Sequence, residues 1–248
     1  MSIQNRIENY WNSRAGDYSE SIQKEMNSFQ INAWRKLISE NAPSKANIKA
    51  LDIGTGPGFF TIVMSDLGYK VTAVDCTENM LSEARKNVER AGFTAEFLQG
   101  DCHQLPFEDA SFDLIVCRNL VWTLVDPIGA YCEWYRLLKP EGKLLIFDAN
   151  WYLRLTDPEL QKRFEEDRKR IVELGYEPSL DTLEEESSNI GKDLYLTFRV
   201  RPQWDAEAFL NQGFKKIFID KDITELVWDE ERKVRYRCTP MFLAGAEK

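Results

Sequence analysis

Residues 48 to 150 alternate between short apolar, β-branched runs and longer segments whose apolar residues recur at helical spacing. Five runs read as strands: IKALDIG from Ile48, KVTAVD from Lys70, AEFLQGD from Ala95, FDLIVCRN from Phe112 and KLLIFDAN from Lys143. Between them lie helical segments. One spans Phe60 to Gly68 and stops at its glycine. A second is capped by Thr77, carries Met80, Leu81, Ala84 and Val88 on one side, and ends at Gly92. A third runs from Pro127 to Leu138 and is followed by a KPEG turn. Strands separated by helices form a parallel sheet covered on both faces, with right-handed crossovers. The expected fold class is therefore α/β, doubly wound and mostly parallel. Ligands of such sheets bind outside the carboxyl ends of the strands.

The flanks read differently. Ile3, Ile7, Tyr10 and Trp11, then Ile31, Trp34, Leu37 and Ile38, predict two amphipathic helices before a break at Asn41–Asn47. After Asn150 the alternation stops. Residues 157–175 predict a helix with Asp157 as cap, Pro158 at its first position and Gly175 as stop. Thr182 to Asn189 reads as an acidic loop, LYLTFRVR (194–201) as a strand, and WDAEAFLNQGF as a short helix. FKKIFID and PMFLAGA read as the last strands. No repeat or low-complexity linker divides the 248 residues. One domain is expected: a helical arm over 1–45, a core over 46–150, an insertion over 151–203 after strand five, and C-terminal strands over 204–248.

Composition narrows the partners. A chain that is 43% hydrophobic can bury a large core. Its net charge of −9, with Lys and Arg scattered, disfavours nucleic acid and anionic membranes. No apolar stretch is long enough to span a bilayer, and MSIQNRIENYWNSRAG lacks a hydrophobic signal core, so a cytoplasmic location is expected. The five cysteines (Cys76, Cys102, Cys117, Cys132 and Cys238) form no C-x-x-C pair, and His103 is the sole histidine. Neither a disulfide framework nor a multi-histidine metal site follows, and no metal is expected.

The chemistry concentrates at LDIGTGPGFF, residues 51–60, where strand one ends. Gly54, Gly56 and Gly58 let main-chain amides approach a ligand without a Cβ in the way. A dinucleotide fingerprint, G-x-G-x-x-G, would need glycine where Phe59 stands, which argues against a nicotinamide oxidoreductase. Asp52 precedes the turn, Asp75 ends strand two and Asp101 ends strand three. A carboxylate at the end of strand two can accept from both ribose hydroxyls, and Asp101 can take an exocyclic amine. Singly these are helix caps or surface charges. Together they line one rim that suits an adenosine joined to a positive, amino-bearing tail.

LDIGTGPGFF, AVD, QGDCHQLPFEDASFDLIVCRN and RLLKPEGKLLIFD, in that order, resemble the successive motifs of class I S-adenosylmethionine-dependent methyltransferases over residues 48–150. The resemblance implies a Rossmann-like, seven-stranded sheet whose last strand is antiparallel. It implies that Asp52, Gly54, Thr55, Gly56, Pro57 and Gly58 hold the methionine portion, Asp75 the ribose with Cys76 and Met80 alongside, and Asp101 with Cys102 the adenine. Arg118 and Asn119 would lie under the methyl donor. YWNSRAGDYSES resembles the arm that closes over the cofactor in small-molecule members, with Tyr10, Trp11 and Tyr18 as contacts. RNLVW stands after strand four in place of the N-P-P-Y type motif of amino-methylating members, which disfavours nucleic-acid bases and glutamine as acceptors.

The expected function is thus methyl transfer from S-adenosylmethionine to a small molecule, leaving S-adenosylhomocysteine. A non-catalytic binder of the cofactor is the first alternative, and a nicotinamide-dependent oxidoreductase the second. No catalytic residue is identified outright; His103 and Asn119 are candidates, though His103 falls on the adenine side. Trp122, Trp151, Tyr152, Trp204 and Tyr10 are candidate substrate contacts, since aromatic faces pack a substrate or attract a cation. Some of them would otherwise fill the core beneath the insertion. Cys76, Cys102 and Cys117 read as small buried hydrophobes. Glu184–Glu186 reads as a solvated acidic run, with attraction of a cationic substrate as the other reading.

Overall fold

The structure, a computed structural model, describes residues 1–178, 181 and 183–248. The arm consists of α1 (Ile3–Met26) and α2 (Gln30–Asn41). The hydroxyl of Ser2 starts α1 by accepting the Asn5 amide at 3.2 Å. The core then runs β1 (Lys49–Ile53), α3 (Phe59–Asp66), β2 (Lys70–Asp75), α4 (Glu78–Arg90), β3 (Glu96–Gln99), β4 (Phe112–Arg118), α5 (Pro127–Leu137) and β5 (Leu138–Asp148). Beyond it lie α6 (Pro158–Glu173), α7 (Glu184–Gly191), α8 (Gln203–Gln212), β6 (Lys216–Asp220), α9 (Thr224–Val227), α10 (Glu230–Arg235) and β7 (Phe242–Glu247).

The seven strands form one sheet in the order β3-β2-β1-β4-β5-β7-β6. All pairings are parallel except those of β7, which runs antiparallel to both β5 and β6. The fold class read from the sequence is the one observed. The chain winds outward from β1 through β2 to β3, then returns to β4 on the other side of β1. That reversal opens a crevice at the carboxyl ends of β1 and β4.

The period of two along each strand divides the core. Leu51, Ile53, Ile115, Cys117, Leu144 and Ile146 face one apolar layer, while Ala50, Leu114, Val116, Leu145 and Phe147 face the other. Both faces are dry, which is why FDLIVC is a continuous apolar run rather than an alternating one. On the second face Trp34 of α2 packs edge-on against Phe60 and Phe147, with ring centroids 5.1 Å apart in each pair. The arm is thereby part of the core.

Three expectations are corrected. LYLTFRVR is a turn of 3-10 helix over Tyr195–Phe198, not a strand. Alternation alone does not make a strand, which needs a neighbour to pair with; this segment pairs with none of the seven strands, and Leu196 is instead buried in the first apolar layer. The expected acidic loop is helix α7: Glu184, Glu185 and Glu186 occupy its first turn, where negative charge suits the helix dipole. Thr182, where that loop was to begin, lies outside the described residues. The KPEG turn is a kink within β5, with Glu141 at φ 63° and a register shift against β4 between Phe112 and Leu114.

Candidate functional site

The Asp52–Gly58 elbow joins β1 to α3. Asp52 does not face the crevice. Its Oδ2 accepts from the hydroxyls of Thr55 and Thr61, each at 2.7 Å, and the residue is 2% exposed. It braces the elbow from behind. Burial pushes its carboxyl up to about 6, against the two hydroxyls. A carboxyl raised in the folded state supports stability fully below its ordinary value, and that support is lost as the pH rises through about 6. Asp52→Asn is therefore expected to gain on the wild type by a few degrees in melting temperature between pH 4 and pH 8; a pH-independent difference would contradict the shift.

Two glycines of the elbow are dictated by contact. Gly54, at φ 66°, would place a Cβ 2.8 Å from a methyl of Leu120. Gly58, at φ 90°, would place one 3.1 Å from the Ala84 backbone of α4. The middle glycine serves another purpose. The Gly56 amide donates to Asp75 Oδ2 at 3.0 Å, while Asp75 Oδ1 accepts the Thr77 amide at 3.0 Å and the Thr77 hydroxyl at 2.9 Å. Asp75 thus ties the elbow to the start of α4 and still borders the crevice. Burial raises its carboxyl, against those amides.

At the end of β3, Asp101 accepts the His103 amide at 3.0 Å and lies 2.5 Å from His103 Nδ1. Burial works against the Asp101 charge, but the two His103 contacts outweigh it and hold the carboxyl below its usual range. Asp101, Cys102 and His103 bring three possible ligand atoms within 4.8 Å of one another. The first and third already bond each other, and burial holds the Cys102 thiol protonated, a poor set for a metal. Burial also pushes the Cys76 thiol up to about 12 and raises that of Cys117.

Two cavities open at the strand ends. The smaller, about 80 Å³, is bordered by Gly54, Gly56, Asp75, Cys76, Met80, Asp101, Cys102 and His103, and by Trp11 and Tyr18 of the arm. The structure thus gathers most of the expected cofactor contacts. Thr55, Pro57 and Gly58, like Asp52, are not on its wall; they support the elbow, and Pro57 is fixed through its carbonyl by Asn87 at 2.9 Å. The larger cavity, about 260 Å³, lies between the arm and the segments after β5. Tyr10, Trp122, Trp151 and Tyr152 line it as expected. Trp204 does not: it stacks in the core against Tyr131, at 5.8 Å, and Tyr195, at 5.7 Å. Glu184 reaches this wall but is ion-paired with Arg168, and Glu186 pairs with Arg6 on α1.

Trp11, Tyr18, Arg118 and Asn119 line both cavities. Asn119 follows β4 in a left-handed conformation, φ 54°, and its buried Oδ1 has no hydrogen-bond partner among the described residues. Arg118 donates to Glu25 Oε1 at 2.6 Å and stacks on Phe59 at 4.4 Å and Phe60 at 5.1 Å. Glu25, 2% exposed, also accepts from Trp34 at 3.1 Å and lies 3.4 Å from Arg232. The candidate site therefore includes residues that the sequence did not signal. Glu25 sits on a polar helix. Trp228, Arg232, Arg235 and Tyr236 come from the α9–α10 segment, whose helices are too short for a periodic signature.

Asp148, at the end of β5, was missed for another reason: it is fully buried and acts through neighbours. It accepts the Trp122 amide and the Trp151 indole N–H, each at 3.1 Å, so one carboxylate orients two aromatic walls. Arg201 clamps it at 2.6 Å and also holds Asp205 at 2.9 Å. That pair of carboxylates keeps the buried guanidinium charged despite its desolvation.

The sheet order, the antiparallel β7 and a glycine elbow flanked by Asp75 and Asp101 define a Rossmann-like methyltransferase fold. Residues 51–146 match the methyltransferase domain family. The ubiquinone/menaquinone biosynthesis C-methyltransferase UbiE of Roseobacter denitrificans is 28% identical over 165 residues, 64% of each chain. The demethylmenaquinone methyltransferase of Thermus thermophilus is 32% identical over 117 residues, 46% of this chain and 53% of its own. Residues 51–146 are thus a methyltransferase domain, and the chain resembles the class I S-adenosylmethionine-dependent methyltransferases. It spans only about half to two thirds of the length of these curated relatives. The phosphoethanolamine N-methyltransferase 2 of Haemonchus contortus, solved with phosphomonomethylethanolamine and S-adenosylhomocysteine, shares the fold, with a TM-score of 0.65 at 17% identity over all of this chain and 60% of its own.

Proposed function

We propose that the protein transfers the methyl group of S-adenosylmethionine to a small-molecule acceptor held in the larger cavity. The observation that carries this reading is the shared wall: four residues line both the elbow cavity and the aromatic cavity. An acceptor in one would therefore meet a donor in the other. The named relatives, which act on quinone precursors or phosphoethanolamine, support a small acceptor.

The residues present suit the cofactor. Asp75 borders the elbow cavity as an acceptor for ribose hydroxyls. Asp101, Cys102 and His103, whose buried Nε2 has no partner among the described residues, face the adenine side. Gly54 and Gly56 bring the main chain past the methionine portion without side chains. When bound, S-adenosylmethionine supplies a methyl group already activated on a sulfonium sulfur. The chain has to orient the acceptor in line with that group and exclude water, and proximity is worth roughly 7–11 kcal/mol of barrier. Asn119, with its unsatisfied Oδ1 at the junction, is placed to accept a hydrogen bond from the acceptor. Helix α1 closes both cavities, held on α4 by Asn79 to the Asn12 carbonyl at 3.1 Å and by Gln23 to Asn87 at 2.7 Å. It acts as the lid that must part to admit ligands.

The direct test is mass spectrometry of S-adenosylhomocysteine formed on incubation with S-adenosylmethionine and candidate metabolites. Cofactor binding without turnover of any acceptor would favour the non-catalytic alternative. Trp151 lines only the acceptor cavity, stacked on Trp228 at 6.4 Å and Tyr236 at 5.3 Å. Trp151→Ala is expected to raise the acceptor KM about tenfold or more while cofactor affinity changes less than about twofold. Equal losses in both would refute the assignment of this cavity to the acceptor. A nicotinamide cofactor is disfavoured because Phe59 opens α3 as a buried side chain, 2% exposed, stacked beneath Arg118. No helix among the described residues is long and apolar enough to cross a membrane.

A further inference from the structure

The charge of the larger cavity is opposite to that of the chain. Among the described residues on its wall are six arginines (Arg14, Arg118, Arg154, Arg168, Arg232 and Arg235) and three carboxylates, in a protein of net charge −9. Most of these guanidiniums have a carboxylate partner. Arg118 and Arg232 share Glu25, Arg14 pairs with Asp181, Arg168 with Glu184, and Arg235 with Glu231 at 2.5 Å. Arg154 does not.

Arg154 is 8% exposed, and no carboxylate among the described residues forms an ion pair with it. It donates to the neutral Gln161 Oε1 at 3.0 Å and the Ser188 hydroxyl at 3.5 Å. These use two of the five N–H donors of a guanidinium. Its plane is set by stacking on Phe164 at 4.1 Å, with Tyr152 at 5.7 Å. Burial, joined by the neighbouring Arg168, lowers its pKa and outweighs the opposing pull of Tyr152 and Glu184. A buried charge without a counter-charge is unfavourable, so a site that keeps one is suited to receive an anion. A second observation lies on the same wall: Arg235, 6% exposed, keeps a buried Nε with no partner among the described residues, although its other nitrogens bond Glu231 and the Pro178 carbonyl.

Resting on the methyl-transfer reading, we propose that the acceptor carries an oxyanion, a phosphate or a carboxylate, and that Arg154 receives it with the help of Arg235. A stacked guanidinium presents its in-plane N–H groups to two oxygens at once, which suits either anion. The aromatic walls then hold the remainder of the acceptor toward Asn119. This sets aside the other reading of Glu184–Glu186, attraction of a cationic substrate, since Glu184 is spent on Arg168.

The test uses the full chain saturated with S-adenosylhomocysteine and four probes: phenyl phosphate, benzoate, benzyl alcohol and benzylamine. Calorimetry is expected to show phenyl phosphate or benzoate binding at least about tenfold tighter than the neutral and cationic probes, with the preference weakened by salt. The stronger of the two anions identifies the group. Arg154→Met is expected to abolish the preference while leaving S-adenosylhomocysteine affinity intact; Arg235→Gln is expected to reduce it. Should Arg154→Met fail to fold, the order of probes on the wild type and on Arg235→Gln decides. Anions binding no tighter than benzyl alcohol, or a preference untouched by both substitutions, would overturn the proposal. Failure of the wild type to bind S-adenosylhomocysteine would instead overturn the methyl-transfer reading beneath it.

Discussion

Asp75→Ala is expected to weaken S-adenosylhomocysteine binding by about a hundredfold, some 2.7 kcal/mol. Asp75 holds two sets of donors at once. Within the protein it accepts from the amides of Gly56 and Thr77 and the hydroxyl of Thr77. Toward the elbow cavity it offers the carboxylate proposed to take the ribose hydroxyls. Hydrogen bonds to a charged group are each worth about 1.5–3 kcal/mol, and the truncation removes those to the ligand. It also leaves the Gly56 amide and the buried Thr77 amide unpaired, which loosens the elbow. Asp75→Asn separates these effects: it keeps an acceptor for one amide but loses the charge, so its affinity is expected between the two. Titration calorimetry on all three proteins reads the result. Unchanged affinity in Asp75→Ala would remove the ribose role and, with it, the proposed orientation of the cofactor.

The second large effect concerns stability. Arg118→Met is expected to cost about 3 kcal/mol, seen as a fall in melting temperature of about 6–12 °C. The arginine side chain is 9% exposed and that of its partner Glu25 is 2% exposed. Removing the cation strands a buried carboxylate that retains only Arg232, at 3.4 Å, and the Trp34 indole. The same substitution also removes the stack on Phe59 and Phe60 beneath the elbow. Burial opposes the Glu25 charge, but Arg118 and Arg232 outweigh it and hold the carboxyl below its usual range. A depressed carboxyl contributes stability that is full at neutral pH and is lost as the pH falls through its folded value. The penalty of Arg118→Met is therefore expected to shrink in acid. Combining it with Glu25→Gln removes the stranded charge, and the double variant is expected to recover part of the loss. A double variant as unstable as the sum of the singles would show that Arg118 acts by packing alone.

This pair also links the two halves of the site. Glu25 belongs to α1, Arg118 to the end of β4 and Arg232 to α10. The proposed lid, the floor of the elbow cavity and the far wall of the larger cavity thus meet at one buried carboxylate. On the proposed reading, parting α1 to admit ligands would separate Glu25 from Arg118, an electrostatic cost that a bound ligand would have to offset.

What the sequence determined by itself follows from local physics. Strand and helix alternate because a sheet covered on both faces needs apolar runs of about five residues joined by amphipathic crossovers, and that pattern is written residue by residue. The elbow was legible because only glycine tolerates the backbone and contacts at Gly54 and Gly58. Asp75 and Asp101 were legible because a strand end in such a sheet places a side chain at the crevice. Local pattern misled where the outcome depended on what else was nearby. LYLTFRVR alternates like a strand yet pairs with none of the seven, and Asp52, drawn inward by Thr55 and Thr61, serves the elbow rather than the ligand. Trp204 stacks in the core while Trp122 and Trp151 are turned toward the cavity by Asp148, a distinction no single residue carries. The larger cavity was decided by tertiary structure alone. Its walls come from α1, the turn after β5, α6, α7 and α10, and its charge arises because ion pairs among them leave Arg154 without a carboxylate. Pairing between segments far apart in the chain depends on their distance in space, and sequence order does not record that distance.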